Sequence, residues 1–309
     1  MKTLRIHSFG GPSVLKFEDL PIPELGEEEL LVRVMAASVN PVDYKIREGR
    51  YPAVKANRLP YVPGRDIAGI VEAAGGLVDD WRAGDEVYAM LDIEHGGYSE
   101  FALVTADEAA HKPRSLDFVA AASVPLAGLT AWQGLFRYGE LQGGQRVLIH
   151  GGAGGVGHFA IQFAKARGAY VITTVSNEHI DFVRSLGADE VIDYKQQRFE
   201  TVAKNVDLVL DLIGGETQER SWGVLKRGGA LVSTLTEPSQ ERAKALGLRA
   251  MRYTVKESGA ELEEIGRLID AGKVKPKITK TFRFSEAANA QQYVEEGHTE
   301  GKVVLKIAA

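Results

Sequence analysis

The sequence predicts an α/β protein that joins a parallel sheet covered by helices to a partly closed barrel of short strands. Three observations carry this. Residues 1–122 hold many short strands broken by Gly, Pro and Asp turns. Residues 123–267 alternate strand and helix, and residues 268–309 return to strand-like sequence. The first pattern builds barrels; the second builds parallel sheets. At 309 residues, 44% apolar and 26% charged, the chain is long enough for two domains with ordinary cores.

In the first part, segments 2–9, 30–39, 66–74, 85–90 and 98–105 read as strands, separated by turns such as Gly10-Gly11-Pro12 and Ala83-Gly84-Asp85. A helix is expected from Pro41, with Asn40 at its N-cap. The middle part reads as helix 128–139, strand 145–150, helix 157–168, strand 169–175, helix 180–187 and strand 190–194. Strand 207–214, helix 219–229 and strand 230–235 follow. These strands are nearly continuous apolar runs, as burial on both faces demands. The tail offers strands at 274–284 and 301–308 with a helix between them. The chain is therefore expected to leave its first domain (1–122), build a nucleotide domain (123–267) and return (268–309) to complete the first.

Composition removes several function classes. With no cysteine, the chain has no disulfide, thiolate nucleophile, Cys-ligated zinc or iron–sulfur site. A net charge of -5 without any basic block argues against a nucleic-acid partner. No run approaches the roughly 20 apolar residues of a membrane helix. Met1 to Gly10 reads as strand and turn rather than a signal segment. A cytoplasmic protein without a membrane partner is expected. The seven histidines are scattered, none in an HExxH pair, so no metal is expected.

The strongest chemical signal is His150-Gly151-Gly152-Ala153-Gly154-Gly155-Val156-Gly157, between the strand 145–150 and the helix 157–168. Gly152, Gly154 and Gly157 have the spacing of the dinucleotide fingerprint of Rossmann domains. That fingerprint needs a tight turn, close backbone approach to a pyrophosphate, and close packing of helix on sheet. The unbonded N–H groups of the first helical turn favour the diphosphate. Strand 169–175 is followed by Ser176 and Asn177, with no acid before Glu178. Ser and Asn donate to a 2′-phosphate that a carboxylate would repel, so NADPH is the expected cofactor. Tyr194, His179 and Arg184 are further candidate donors. Asp211, the Ile213-Gly214-Gly215 turn and the Ser233–Leu235 segment fall at the same sheet edge. Ile213, Gly214 and Leu235 are expected beside the cofactor.

The order and spacing of further motifs resemble the zinc-free quinone oxidoreductase branch of the medium-chain dehydrogenase/reductase superfamily, almost end to end. These motifs are Ser38-Val39-Asn40-Pro41-Val42-Asp43, Val62–Gly69, Gly84-Asp85-Glu86-Val87, Gly96–Phe101, Leu129-Thr130-Ala131-Trp132, His150–Gly157, Leu186-Gly187-Ala188-Asp189 and Gly301-Lys302-Val303-Val304. The resemblance implies a GroES-like barrel, partly open and completed by the C-terminal tail, with a Rossmann domain between. It implies a homodimer using NADPH to reduce small hydrophobic quinones or the activated C=C bond of enals and enones. It places Asn40 near the nicotinamide and Thr130 near the phosphates or nicotinamide ribose. The glycine turn, Gly155 and Val156 included, would hold the pyrophosphate, Ser176 and Tyr194 the 2′-phosphate. Gly301 and Lys302 would bind the cleft side of the cofactor. The departure from zinc-dependent relatives is plain: Arg65 replaces the ligand histidine, and the ligand cysteines are missing.

Hydride transfer needs the cofactor placed against the acceptor and a donor for the charge that develops on its oxygen. Asn40 is the first candidate, Tyr44 the second, and Thr130 completes the expected catalytic set. Arg65 and Asp66 are expected to form, or to sit beside, a buried or semi-buried charge pair; Tyr51, Trp81 and Tyr98 are further candidate linings. Alternatives are a carbonyl reductase of the same fold and a catalytically weak NADPH-binding protein of crystallin or sensor type. For dimerisation, strand 230–235 and the segment around Leu248–Val255 are candidate edges.

Overall fold

The structure, a computed structural model, describes residues 1–297 and 299–308, among which fifteen strands and ten α-helices form. The chain divides into two compact units. One comprises Met1–Leu126, Glu257–Gly272 and the residues from Pro276 onward; the other comprises Ala127–Lys256 and Lys273–Lys275.

The first unit opens with an antiparallel ribbon, β1 (Lys2–Ile6) and β2 (Leu15–Asp19). The long β3 (Glu29–Val39) runs into α1 (Pro41–Arg47). Then come β4 (Asp66–Ala74), β5 (Glu86–Met90), β6 (Phe101–Thr105), β7 (Ala109–His111), α2 (Phe118–Ala122) and α3 (Pro125–Trp132), the last crossing into the second unit. The alternation in β3, with Leu30, Val32 and Val34 buried between half-buried neighbours, is the period-2 signature of a strand with one face on a core. β2 was not legible as a strand because the fragment Leu15–Asp19 buries only Leu15 and pairs with β1 alone.

In the second unit the order is β8 (Arg146–His150), α4 (Gly157–Ala166), β9 (Tyr170–Val175), α5 (Ile180–Ser185), β10 (Glu190–Asp193), α6 (Phe199–Val202), β11 (Val206–Asp211), α7 (Gly215–Ser221), β12 (Leu225–Ser233), α8 (Gln240–Leu246) and β13 (Arg249–Arg252). The strands pair as β10-β9-β8-β11-β12-β13, every pair parallel. Two expectations are corrected here. The helix expected over 219–229 ends at Ser221, followed by a single 3₁₀ turn, and Leu225–Gly229 are already strand. Gly228, at φ 78°, and the irregular register opposite Val206 accommodate the bend. The segment 230–235 is also no edge: β12 lies between β11 and β13, leaving β13 at the margin.

The chain then returns through α9 (Gly259–Asp270), β14 (Ile278–Arg283), α10 (Ala287–Glu295) and β15 (Lys302–Lys306). β15 pairs with β3 and extends the first unit's sheet to the order β14-β15-β3-β4-β5-β7, with β6 also on β3. α10 packs on α1 through the fully buried Arg47. Its guanidinium donates to Gln291 Oε1 at 3.2 Å and pairs with Glu295 at 2.9 Å. A further bond to the Gly10 carbonyl at 3.1 Å ties the C-terminal end of α1 to the loop after β1. The second unit is thus the parallel nucleotide-binding architecture, the first the mixed sheet of the GroES-like domain, in agreement with the expected fold class.

Candidate active site

Two clusters carry the chemistry, one in each unit. In the second unit, β8 ends at His150 and the chain turns at Gly151, where φ is 75°. Gly151 and Gly152 N–H both donate to the Thr174 carbonyl at 3.2 Å, tying the turn to the end of β9. A Cβ on Gly152 would collide with the Thr173 side chain, and one on Gly157 with the Gly151 carbonyl oxygen. The packing of the turn on β9 therefore requires glycine at 152, and the tight entry into α4 requires it at 157. Gly154 differs: its nearest neighbour would be the Gly151 oxygen at 3.5 Å, an ordinary contact. The protein has room there, and a glycine is needed only if a ligand approaches. Gly155 and Val156 complete the turn before α4 begins.

His150 braces this turn from inside. Its Nδ1 lies 3.1 Å from Thr174 Oγ1 and its Nε2 2.9 Å from Ser221 Oγ. Burial, opposed by Asp211, pushes its pKa down to about 4, so the ring is neutral at physiological pH.

Ser176 caps the 3₁₀ turn Asn177–His179 at the end of β9, and Tyr194 follows β10 on the neighbouring strand, its N–H bonded to Val175 O at 3.1 Å. Ser176, Asn177 and Tyr194 are thereby brought to one sheet edge, and the Tyr194 ring is 57% exposed. Lys195, which the sequence reading passed over, stands beside them, 3.9 Å from Glu178. On the other side of the turn, Asp211 organises two loops at once. Its Oδ1 accepts from Ile213 and Gly214 N–H, and its Oδ2 accepts from Gln218 Nε2 and Ser233 Oγ. Ile213 and Leu235 are left exposed next to Gly214, apolar side chains without a core. Thr130 lies on α3, nearly buried, its carbonyl accepting from Tyr253 OH at 2.5 Å.

These features fit a dinucleotide. A cradle that two Cβ atoms would fill, one glycine with spare room, and exposed apolar side chains at the carboxyl edge of a parallel sheet are what NADPH requires.

In the first unit the centre is Asn40, 1% exposed, at the N-cap of α1. Its N–H donates to Asp43 Oδ2 at 2.7 Å, so Asp43 closes the helix start. Its side-chain amide donates to Asp66 Oδ2 at 2.8 Å and accepts from Lys302 Nζ. Gly301, at φ 84° and packed against the Lys277 carbonyl, delivers Lys302 into this cluster. Arg65 and Asp66 do not pair with each other; each sits in an ion pair of its own. Arg65 pairs with Glu257 and donates to Leu91 O at 2.6 Å, while Asp66 binds Ser38, Asn40, Leu126 N–H and Lys302. Tyr44 is half-buried with Arg50 5.9 Å above its ring, and the tyrosine whose hydroxyl reaches the cluster is Tyr98, donating to Asp43 Oδ2 at 3.1 Å.

Burial raises the Asp43 carboxyl to about 7, reinforced by Asp66 and opposed by the Asn40 N–H, Tyr98 OH and Lys302. Its Oδ1 is buried without a partner, the natural seat of the proton. A carboxyl raised in the folded state binds its proton more tightly than in the unfolded chain, so stability falls as pH rises from the ordinary carboxylate range to about 7 and levels off above it. Asn at this position mimics the protonated acid. D43N is therefore expected to match the parent protein near pH 4, to gain on it by about 1.4 kcal/mol per pH unit between about pH 4 and 7, and to keep a constant lead above 7. Parallel melting profiles of the two across this range would refute the assignment.

The donor set does not fit zinc. There is no cysteine in the chain, Arg65 carries a cation of its own, and the Asp66 carboxylate is already taken up by four groups. Among the described residues no group of three or more His, Asp or Glu side chains stands close enough to hold a metal ion.

Comparison with known proteins adds the following. Residues 26–114 match the alcohol dehydrogenase GroES-like domain, and residues 186–305 match the family described as zinc-binding dehydrogenase. The chain is 39% identical over 320 residues to the NADPH-dependent alkenal/one oxidoreductase, chloroplastic, of Arabidopsis thaliana, covering 99% of this chain and 79% of that protein. The structure of the quinone oxidoreductase from Coxiella burnetii superposes with a TM-score of 0.92 at 38% identity, covering 100% of this chain and 99% of that one. The Escherichia coli quinone oxidoreductase complexed with NADPH gives a TM-score of 0.89 at 30% identity, covering 99% and 100%.

Proposed function

Since this chain belongs to the quinone oxidoreductase branch of the medium-chain dehydrogenase/reductase superfamily, we propose that it is an NADPH-dependent oxidoreductase that reduces quinones or the activated C=C bond of enals and enones. The observation that carries this is the pairing of a built dinucleotide turn, Gly151–Gly157, with Asn40 as a fixed polar group and no zinc ligand set among the described residues.

NADPH, when bound, supplies a hydride from its nicotinamide ring. The glycine turn and the first N–H groups of α4 hold the pyrophosphate. Ser176, Asn177 and Tyr194 take the 2′-phosphate, and Ile213, Gly214 and Leu235 line the apolar side. Thr130 serves the phosphates or nicotinamide ribose. Hydride arriving at an enone leaves an enolate, and at a quinone a phenolate-like anion. Both are stabilised by a neutral donor, and Asn40 is that donor in this reading. Tyr44 lines the acceptor site. Because the supporting ions around Asn40 are buried and mutually satisfied, acceptor specificity rests on shape and apolar contact. The protein acts as a homodimer in the cytoplasm, with the backbone edge of β13 the pairing surface. No helix among the described residues is long and apolar enough to cross a membrane.

The test is oxidation of NADPH and of NADH against a quinone panel and an alkenal/enone panel, with product analysis. NADPH is expected to outperform NADH, and apolar acceptors to outperform charged ones. Saturated carbonyl products identify C=C reduction, and hydroquinones identify quinone reduction. A preference for NADH overturns the reading of Ser176, Asn177 and Tyr194, and a preference for charged acceptors overturns the apolar site.

A further inference from the structure

The Asn40 amide sits between two groups that are far from it in sequence and opposite in hydrogen-bonding character. Lys302 Nζ donates to its Oδ1, and its Nδ2 donates to Asp66 Oδ2 at 2.8 Å. Lys302 and Asp66 face each other at 3.7 Å, with side chains 4% and 0% exposed. An ammonium only donates and a carboxylate only accepts. Turning the amide over would set its NH₂ against the ammonium and its oxygen against the carboxylate, two repulsive contacts where no water can relieve them. The carboxylate cannot rotate to adapt. Its Oδ1 accepts from Leu126 N–H at 2.7 Å and its Oδ2 from Ser38 Oγ at 2.6 Å. The amide therefore has one orientation, and its second N–H is left with no better partner than Ser38 Oγ at 3.5 Å.

We infer that Lys302 and Asp66 are positioning residues for the reduction: their buried ion pair holds the Asn40 amide so that an N–H, and never the carbonyl oxygen, is offered to the reacting oxygen of the acceptor. This rests on the reading of Asn40 as donor. An ion pair at this depth contributes little net stability, because desolvation offsets the attraction. Orientation of a donor, in contrast, acts directly on the rate. A reversed amide would present an acceptor to a developing anion, which opposes the reaction.

The experiment is a mutant cycle read by kcat, by KM for NADPH and by melting temperature. Lys302→Met removes the donor to Oδ1 while keeping the bulk of the chain, and kcat is expected to fall about 10- to 100-fold with KM for NADPH unchanged. Lys302→Met leaves the Asp66 carboxylate without its counter-ion, so the variant K302M/D66N, which is neutral at this place, accompanies it. K302M/D66N is expected to recover melting temperature but not kcat, since an Asn at position 66 accepts and donates and no longer dictates the amide's orientation. In an Asn40→Ala background, Lys302→Met is expected to add nothing to the loss in kcat. Recovery of kcat together with stability in K302M/D66N overturns the inference and makes the pair a charge-balancing device. Full additivity of N40A and K302M overturns it as well. If N40A alone keeps the parent kcat, the reading of Asn40 itself has failed, and the inference falls with it.

Discussion

Alanine at Gly157 is expected to weaken NADPH binding about 10- to 100-fold or more, from the 1–3 kcal/mol that overpacking costs and the tenfold change per 1.4 kcal/mol. The added Cβ would strike the Gly151 carbonyl oxygen and lie 2.7 Å from Gly152 Cα and 2.9 Å from the Gly151 carbonyl carbon. All three are backbone atoms, so no flexible side chain can swing away. Either α4 withdraws from β8 or the turn opens, and in both cases the N–H groups that would meet the pyrophosphate move. Loss of melting temperature without cofactor should accompany the loss of affinity. Gly154→Ala separates protein need from ligand need. Its Cβ meets only the Gly151 oxygen at 3.5 Å, so the apoprotein should keep its melting temperature while NADPH affinity, followed by cofactor fluorescence, still falls. Unchanged affinity in the Gly154 variant would mean that the pyrophosphate does not pass close to this turn.

Replacing Asn40 by alanine should lower kcat by about 10²- to 10³-fold, the range seen when one donor to a developing oxyanion is removed. NADPH affinity should change little, because the residues proposed for the pyrophosphate and 2′-phosphate lie in the second unit. The substitution also strips Lys302 and Asp66 of a partner each. A modest stability loss, of about 1–3 kcal/mol for the unsatisfied groups, is therefore expected beside the kinetic one. Pre-steady-state oxidation of bound NADPH separates the two, since it reads the chemical step in the folded fraction alone. An N40A enzyme that reduces its acceptor at the parent rate would return Asn40 to a purely structural role at the start of α1, where its N–H already meets Asp43.

The two units differ in how much of them could be read from sequence. The glycine turn was legible because its demands are local: a strand, three glycines and a helix lie within about two dozen residues. The steric reason for Gly157 is backbone contact inside that same stretch, and that for Gly152 is the Thr173 side chain on the next strand. Ser176 and Tyr194 followed from their places after successive strands, and parallel pairing of β9 with β10 puts them at one edge. The helix expected over 219–229 failed because Leu225–Gly229 carry charge and glycine typical of an exposed segment, and only pairing with β11 makes a strand of them. Arg65 and Asp66 were expected in or beside a buried charge pair, but their partners were not legible. Those partners, Glu257 and Lys302, come from distant segments of the chain and meet Arg65 and Asp66 only in the folded unit.

What the sequence determined by itself is the architecture and the cofactor. Both rest on hydrophobic periodicity and on a turn whose chemistry is confined to one short stretch. What only the tertiary structure decided is the surroundings of Asn40: which tyrosine reaches the cluster, which carboxylate holds the amide, and which lysine opposes it. Asn40 and Lys302 are 262 positions apart, and they meet because β15 returns to pair with β3 in antiparallel register, Val303 opposite Val39. No local propensity encodes that meeting. It follows from closing a sheet with a distant strand, which buries a cation that must then find a carboxylate and an amide within reach.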